Sequence, residues 1–106
     1  MRQAIVDSHI HFWDTQLLRY DWLARVPAIQ KPFMPADLAA VTQEVDLQGI
    51  VFVQADAACE QGLAEAEWVE ALAWEEPAIR AIVAFAPVEE GEAVRSALAA
   101  LARLPL

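Results

Sequence analysis

Apolar and polar positions follow two different spacings along the chain, and their order predicts strands that alternate with helices. Short, continuously apolar runs are typical of strands buried on both faces, and we expect them at residues 4–8, 50–55 and 79–87. Apolar positions recur at helical spacing in three other segments, residues 35–48, 60–75 and 91–104. Strands connected through helices form parallel sheets. We therefore predict an α/β fold of about three βα units with a parallel sheet.

Local signals refine the helix boundaries. Pro35 suits the first turn of a helix, Asp37 suits its positive N-terminal end, and Gly49 is expected to cap its C-terminus. Pro77 should stop the second helix, and Pro87 should end the third strand. The side chains that we expect to face the core are Leu38, Val41 and Val45, then Leu63, Ala66, Val69, Leu72 and Ala73, then Val94, Leu98 and Leu101.

Residues 12–34 show no periodicity, although they contain several aromatic residues and prolines. Long loops without secondary structure are uncommon in compact domains and are usually functional. We therefore expect this segment to form a loop that belongs to a functional site.

The two histidines of the chain, His9 and His11, lie two positions apart at the end of the first strand. Residues i and i+2 of a strand point the same way, so both imidazoles should lie on one side, with Asp7 in phase behind them. Ligands of parallel α/β folds bind at the carboxyl ends of strands. The pair is therefore a candidate metal site.

A metal site usually needs three or four ligands, and the chain has no third histidine. Asp14, Asp56 and Cys59 are candidate further ligands, and the spacing does not select among them. Two histidines that only form hydrogen bonds at a polar strand end are the alternative interpretation.

Charge narrows the range of partners. The net charge is −9, from sixteen acidic and seven basic residues, which disfavours nucleic acid and anionic membranes. Nine of the acids are glutamates between Glu60 and Glu92, where Arg80 is the one basic residue, and solvated helix faces explain them. A surface that binds cations is the minor alternative.

Cysteine content and hydropathy indicate the compartment. The single cysteine, Cys59, cannot form a disulfide within the chain and is expected to be a small, half-buried thiol; a reactive thiol is the alternative. No segment has the apolar length of a signal peptide or a membrane span. We predict a soluble protein of the cytoplasm.

Several segments together resemble the amidohydrolase superfamily, and more narrowly its lactonase branch. They are "IVDSHIHFWD" (5–14), "LRYDWL" (18–23), "MPADL" (34–38), "GIVFVQADAACEQGLAEAEWV" (49–69) and "AIVAFAPVEEG" (81–91). The branch includes L-fuconolactone hydrolases, related sugar-acid lactonases and 2-pyrone-4,6-dicarboxylate lactonase. The Asp-x-His-x-His-Phe-Trp-Asp block is the most specific of these segments.

The resemblance implies a TIM (β/α)8 barrel and hydrolysis of a lactone or a similar carboxylate ester. His9 and His11 match the first-strand histidines, which in this family are catalytic and bind a divalent metal, zinc foremost. The metal polarises the carbonyl and makes hydroxide available near neutral pH. Some members of the branch work without tightly bound metal, and there the same histidines would stabilise the developing oxyanion.

Other candidate residues would contact a small-molecule substrate. Gln54 and Asp56 lie in phase at the end of the second strand, and Arg19 and Tyr20 lie in the first loop. An amide can donate to a carbonyl, and an arginine is the natural clamp for a carboxylate. Trp13 and Trp22 could form walls of the site, whereas packing of the loop is the alternative for Trp22. Trp68 and Trp74 are expected to lie on the outer side of the second helix.

A barrel of this family needs about 250 residues and eight βα units, so we expect residues 1–106 to be the N-terminal part of the domain. Three parallel strands would leave open edges, through which self-association or aggregation is expected. The alternative function is a non-catalytic α/β remnant or assembling subunit with weak metal binding. A small binding domain that uses the aromatic loop is a third interpretation.

Overall fold

The structure is a computed structural model that describes residues 2–106, and it contains three parallel strands and three α-helices. Along the chain these are β1 (Gln3–Ile10), α1 (Pro35–Val41), β2 (Val45–Val53), α2 (Gly62–Glu75), β3 (Ile79–Val83) and α3 (Arg95–Ala102). The strands form one sheet in the order β1-β2-β3, and both neighbouring pairs are parallel. The predicted α/β fold is confirmed: three neighbouring βα units have the arrangement found in part of a TIM barrel.

The pairing of β1 with β2 is irregular at two places. It runs from Gln3 opposite Val45 to Ile10 opposite Phe52, and it shifts between Ile5 and Val6 and again between Asp7 and Ile10. At the second shift β1 contains one residue more than β2, which is the signature of a bulge. His9 lies within this irregular stretch, and His11 follows it.

Two apolar clusters stabilise the fold. The first joins the sheet to α2 and consists of Phe12, Ile50, Phe52, Val69 and Ile79. The second lies below the first loop and consists of Leu18, Tyr20, Leu23, Ala55 and Ala57. Trp68 is half-buried and packs against both clusters, so α2 connects the sheet to the loop.

The segment predicted to be a loop, residues 12–34, is closed at its base and packed inside. Trp13 and Phe33 exchange two backbone hydrogen bonds, with N–O distances of 3.1 and 2.8 Å. Between them are two short 3-10 helices, Asp21–Arg25 and Pro27–Ile29. The loop therefore has a fixed shape over the ends of β1 and β2.

The boundaries predicted for the first helix are wrong at its C-terminal end. The helix stops at Val41, and both Val45 and Gly49 belong to β2. Val45 and Leu47 alternate with polar residues and pair with β1, and this pairing overrides the helical spacing. A Cβ at Gly49 would lie 3.2 Å from Cγ1 of Val6, so the glycine allows a close contact between strands and is not a helix cap.

Other predicted boundaries are partly confirmed. The second helix has the expected C-terminus, since α2 ends before Pro77. The third strand ends at Val83, earlier than expected, and α3 begins only at Arg95. The residues before it, Val88–Val94, form a 3-10 helix that is broken at Gly91, whose φ of 65° is not helical.

Several predictions about burial are wrong. Val41, Leu63 and Leu98 were expected to face the core and are exposed. Cys59 was expected to be half-buried and is exposed too. Trp74 is exposed, as expected for the outer side of α2, whereas Trp68, which was expected there too, is half-buried against both apolar clusters.

The sheet keeps exposed apolar side chains, with Val6 67% and Val83 52% exposed. β1 and β3 are edge strands, and exposed apolar residues on edge strands favour pairing with other chains. Self-association stays a prediction. None of the helices in residues 2–106 is both long enough and apolar enough to span a membrane.

Candidate functional site

His9 and His11 lie side by side at the carboxyl end of β1. Their Nε2 atoms are 3.2 Å apart, and their rings are nearly perpendicular, with centroids 4.9 Å apart and an angle of 79° between planes. Both residues are exposed. Asp7 contacts the backbone of the pair and not the rings, since its Oδ1 accepts a hydrogen bond of 3.0 Å from the His9 N–H.

The neighbouring strand fixes the ring of His11. Its Nδ1 lies 2.7 Å from the carbonyl oxygen of Val53, the last residue of β2. A carbonyl oxygen can only accept, so Nδ1 carries the proton and donates it. In the neutral ring, Nε2 then has a lone pair that points toward His9. This is the arrangement that metal-binding histidines use, in which the second nitrogen is held by a carbonyl or carboxylate.

The separation of the two nitrogens suits two ligands of one metal ion. Zinc–nitrogen bonds of 2.0–2.1 Å at the tetrahedral angle place two ligand nitrogens about 3.3 Å apart, and the observed distance is 3.2 Å. The same 3.2 Å is also the length of a hydrogen bond between the two Nε2 atoms, so the distance is compatible with a shared metal ion and with a directly bonded pair. No cluster of three or more His, Cys, Asp or Glu placed for metal binding exists within residues 2–106. The described chain thus offers two ligands.

Asp14, Asp56 and Cys59, the candidate further ligands, are not brought into a common cluster with the pair. Oδ1 of Asp14 accepts a hydrogen bond of 3.0 Å from the backbone of Gln16. Cys59 begins a 3-10 helix and lines a cavity against α3, away from the histidines.

A cavity of about 210 Å³ opens next to His11, and its walls come from three parts of the fold. They are His11 itself, Trp13 and Trp22 of the first loop, and Gln54, Ala55 and Asp56 after β2. The two indole rings meet edge to face, with centroids 5.5 Å apart. We call this the indole cavity. A wider groove of about 580 Å³, lined by β1 and α1, opens on the other side of the histidine pair.

Both indoles of this cavity are held by the backbone. Nε1 of Trp22 donates to the carbonyl of Ala55 at 2.8 Å, and Nε1 of Trp13 donates to the carbonyl of Ile29 at 3.3 Å. Their polar atoms are thus in use, and the rings present mainly carbon atoms to the cavity. Trp13 forms a wall next to the pair, as predicted, and Trp22 both packs the loop and lines the cavity.

Gln54 and Asp56 lie together at the end of β2. Oε1 of Gln54 accepts a hydrogen bond of 2.8 Å from the N–H of Asp56, which leaves the amide NH2 of Gln54 as a donor. Asp56 has a φ of 58°, the left-handed conformation that residues other than glycine seldom adopt. Both residues line the indole cavity.

Arg19 and Tyr20 are not brought to the indole cavity. The guanidinium of Arg19 pairs with Asp21 at 3.1 Å and with Glu60 at 2.7 Å, and these acids raise its pKa. The ring of Tyr20 belongs to the second apolar cluster. Both residues line a different cavity, of about 230 Å³.

The hydroxyl of Tyr20 is buried, and no atom of residues 2–106 completes a hydrogen bond with it. Burial raises the pKa of this hydroxyl well above its ordinary value, and the charge of Glu65 adds to the effect. The backbone of Asp14 lies close enough to offset part of the rise.

Glu65 is a buried carboxyl that the sequence did not indicate. It is 1% exposed, and its Oε2 accepts a hydrogen bond of 3.0 Å from the N–H of Ala55. Burial raises the pKa of this carboxyl, and the Ala55 bond and the charge of His11 offset part of the rise. Because glutamates on helices usually face solvent, no signal in the sequence singled it out.

The comparisons with known proteins find a similarity among solved structures. No family model matches the chain, and none of the curated proteins matches it. A solved structure, amidohydrolase 2 from Bifidobacterium longum subsp. infantis, is 33% identical with a TM-score of 0.51. The match covers 69% of this chain and 28% of that protein. The similarity supports the amidohydrolase superfamily.

The amidohydrolase-like similarity also supports a fold of the hydrolase type. The printed name of the neighbour gives no substrate and no branch of the superfamily. This chain spans 28% of the neighbour's length, so the similarity covers only a small part of a whole amidohydrolase.

Proposed function

We propose that the chain carries the first-strand site of a hydrolase that opens a sugar-acid lactone or a similar carboxylate ester. In this reaction water adds to the lactone carbonyl, the ring C–O bond breaks, and the ring oxygen takes a proton to give a hydroxy acid. The observation that carries the proposal is the histidine pair, with Nε2 atoms 3.2 Å apart and His11 fixed by Val53.

His9 and His11 would hold a divalent metal, zinc foremost, through their Nε2 atoms. When bound, such a metal polarises a carbonyl and lowers the pKa of water. The carbonyl of Val53 keeps His11 in the tautomer that exposes the Nε2 lone pair. Without a metal, protonated rings at the same positions would donate hydrogen bonds to the developing oxyanion.

The indole cavity would hold the lactone ring next to His11. The faces of Trp13 and Trp22 exclude water from one side, and the free NH2 of Gln54 donates to a carbonyl or hydroxyl oxygen. Asp56 is the second polar contact. Arg19 and Tyr20 stay predicted substrate contacts, and they would need a rearrangement of the first loop to reach this cavity.

Turnover of a panel of sugar lactones, with and without chelator, tests the proposal. We expect His9→Ala and His11→Ala each to lower kcat/KM by about 100-fold or more, since even residues that only orient metal ligands cost about 10–100-fold when they are replaced. Trp74→Ala is the control, since its ring is exposed and lines neither of the two cavities beside the pair. Zinc binding followed by calorimetry gives a second measurement that does not depend on turnover. Unchanged turnover in both histidine variants would remove the pair from the mechanism.

The second candidate is a non-catalytic α/β module with weak metal binding. The lack of a three-residue metal cluster in the described part of the chain favours it. Weak zinc binding that both histidine variants abolish, together with no turnover of any lactone, would support this candidate. A cytoplasmic location belongs to either proposal, since a single exposed cysteine suits a reducing compartment.

A further inference from the structure

Glu65 is the one charged side chain that the structure buries within residues 2–106, and the reaction proposed above does not use it. None of the ion pairs in that part of the chain includes it. Its helix, α2, keeps Glu67 and Glu75 exposed, as is usual for glutamates. Burying a carboxyl without a basic partner costs stability, so stability alone does not explain why a glutamate occupies this position.

The carboxyl of Glu65 holds a single backbone residue of the site. Its Oε2 accepts a hydrogen bond from the N–H of Ala55 at 3.0 Å, and the carbonyl of Ala55 accepts one from Nε1 of Trp22 at 2.8 Å. The N–H lies in the peptide plane that Ala55 shares with Gln54, and the carbonyl lies in the plane that it shares with Asp56. α2 and the first loop therefore fix both peptide planes around Ala55.

The residues on either side of Ala55 form a polar part of the wall of the indole cavity. Gln54 and Asp56 both line it, and the N–H of Asp56 donates to Oε1 of Gln54 at 2.8 Å. Asp56 has a φ of 58°, and such a conformation persists only where the surrounding structure holds it. Val83 supports the turn from β3, since its carbonyl accepts from the N–H of Gln54 at 2.9 Å. Glu65 supplies the corresponding support from α2.

We infer that Glu65 is a positioning residue of the proposed site, which holds Gln54 and Asp56 in the orientation that binds substrate. It acts through Ala55 and does not touch the substrate, since it is not among the residues that line either cavity beside the histidine pair. This inference rests on the proposed function and adds to it a residue behind the wall of the cavity.

Three variants separate this role from a general contribution to the fold. Glu65→Gln keeps a carbonyl oxygen that can accept from the Ala55 N–H, whereas Glu65→Leu has a similar size and no acceptor. Glu76→Leu is the control, because it removes the same kind of contact, from the N–H of Ala78 to Oε1 of Glu76 at 3.2 Å. Glu76 lines neither cavity beside the histidines.

Binding of glucono-γ-lactone gives the main measurement, followed through the indole N–H resonances of Trp13 and Trp22 in an NMR titration. We expect Glu65→Leu to bind about tenfold more weakly, as for the loss of one buried hydrogen bond, and Glu65→Gln and Glu76→Leu to stay within about twofold of the wild type. A loss of stability alone lowers the folded fraction and leaves the dissociation constant of the folded protein unchanged.

Hydrogen exchange of the wild type gives a second measurement, which stands even if Glu65→Leu does not fold. The N–H of Ala55 is bonded to Glu65, so it is not free to bind a lactone in the cavity. At a lactone concentration about ten times the dissociation constant, exchange at Ala55 should slow about tenfold, because openings that release Ala55 also disrupt the site. The N–H of Ala78, which Glu76 holds, should slow far less.

The outcomes separate the inference from the proposed function. Equal lactone binding by the wild type and Glu65→Leu, or equal slowing of exchange at Ala55 and Ala78, would overturn the positioning role and leave the proposed function standing. If the wild type binds no lactone, the proposed function and this inference fail together.

Discussion

Two valines of the helices provide a sharp test of the packing, because the sequence predicts both to be buried and the structure buries only one. Val69 of α2 is 0% exposed, and Val41 of α1 is 79% exposed. Val69 contacts the first apolar cluster between α2 and the sheet. Val69 lies inside α2 and Val41 is the last residue of α1, so the higher helix propensity of alanine acts mainly at position 69.

The magnitude follows from the atoms removed. Val69→Ala deletes two buried carbon groups, each worth about 0.8 kcal/mol of transfer free energy. A cavity adds to the loss, and the higher helix propensity of alanine offsets about 0.5 kcal/mol. We expect a net loss of about 2 kcal/mol for Val69→Ala and a change within about 0.5 kcal/mol for Val41→Ala.

Urea unfolding followed by far-UV circular dichroism measures both free energies, provided that the slope m is unchanged. In thermal melts the same difference corresponds to a Tm lower by about 8–16 °C for Val69→Ala. Equal losses in the two variants would refute the packing described for α1 and α2.

Three further predictions concern α2 and the first loop. Burial raises the pKa of Glu65, so the folded protein keeps this proton at pH values where the unfolded chain has lost it. The protonated carboxyl therefore contributes stability below about pH 4.3, and this contribution is lost as pH rises through the raised pKa. Glu65→Gln should remove this dependence, and parallel urea curves for both proteins at every pH would contradict it. Gly62→Ala should lower the free energy of unfolding by about 1–3 kcal/mol, because a Cβ there would lie 2.6 Å from Cδ1 of Phe85. This loss should exceed the gain from the better helix propensity of alanine, and a higher Tm for the variant would disprove the contact. Trp22→Phe removes the donor to the Ala55 carbonyl and should cost about 1 kcal/mol in urea unfolding, whereas an unchanged midpoint would show that the bond contributes nothing.

The order of strands and helices was predictable because burial on both faces makes the strands continuously apolar. Residues 50–53 show this clearly, and they lie in the middle of the sheet. The start of β2 was not predictable in the same way. Val41 and Val45 fit a helical spacing, whereas Val45 and Leu47 fit the alternation of a strand. Pairing of Val45 with Gln3 decides between them, and such a contact between distant segments leaves no local signal.

Some features of the candidate site could likewise be predicted from the sequence, and others could not. His9 and His11 were found from their spacing at a strand end, because neighbouring side chains on one strand depend on local geometry alone. The hydrogen bond from His11 to Val53 and the contact of Glu65 with Ala55 join segments that are far apart or on different elements. The positions of Arg19 and Tyr20 depend on how the loop packs, which the sequence pattern did not reveal.

The irregular pairing between Asp7 and Ile10 limits how this part of the protein can change. Side chains on a strand alternate between two faces, so losing the one surplus residue would exchange the faces on one side of it. The imidazoles would then lie on the opposite face of the strand, although both histidines were still present. A variant that lacks Ser8 would keep both histidines and lose their placement, so insertions and deletions in this segment matter as much as substitutions of the histidines.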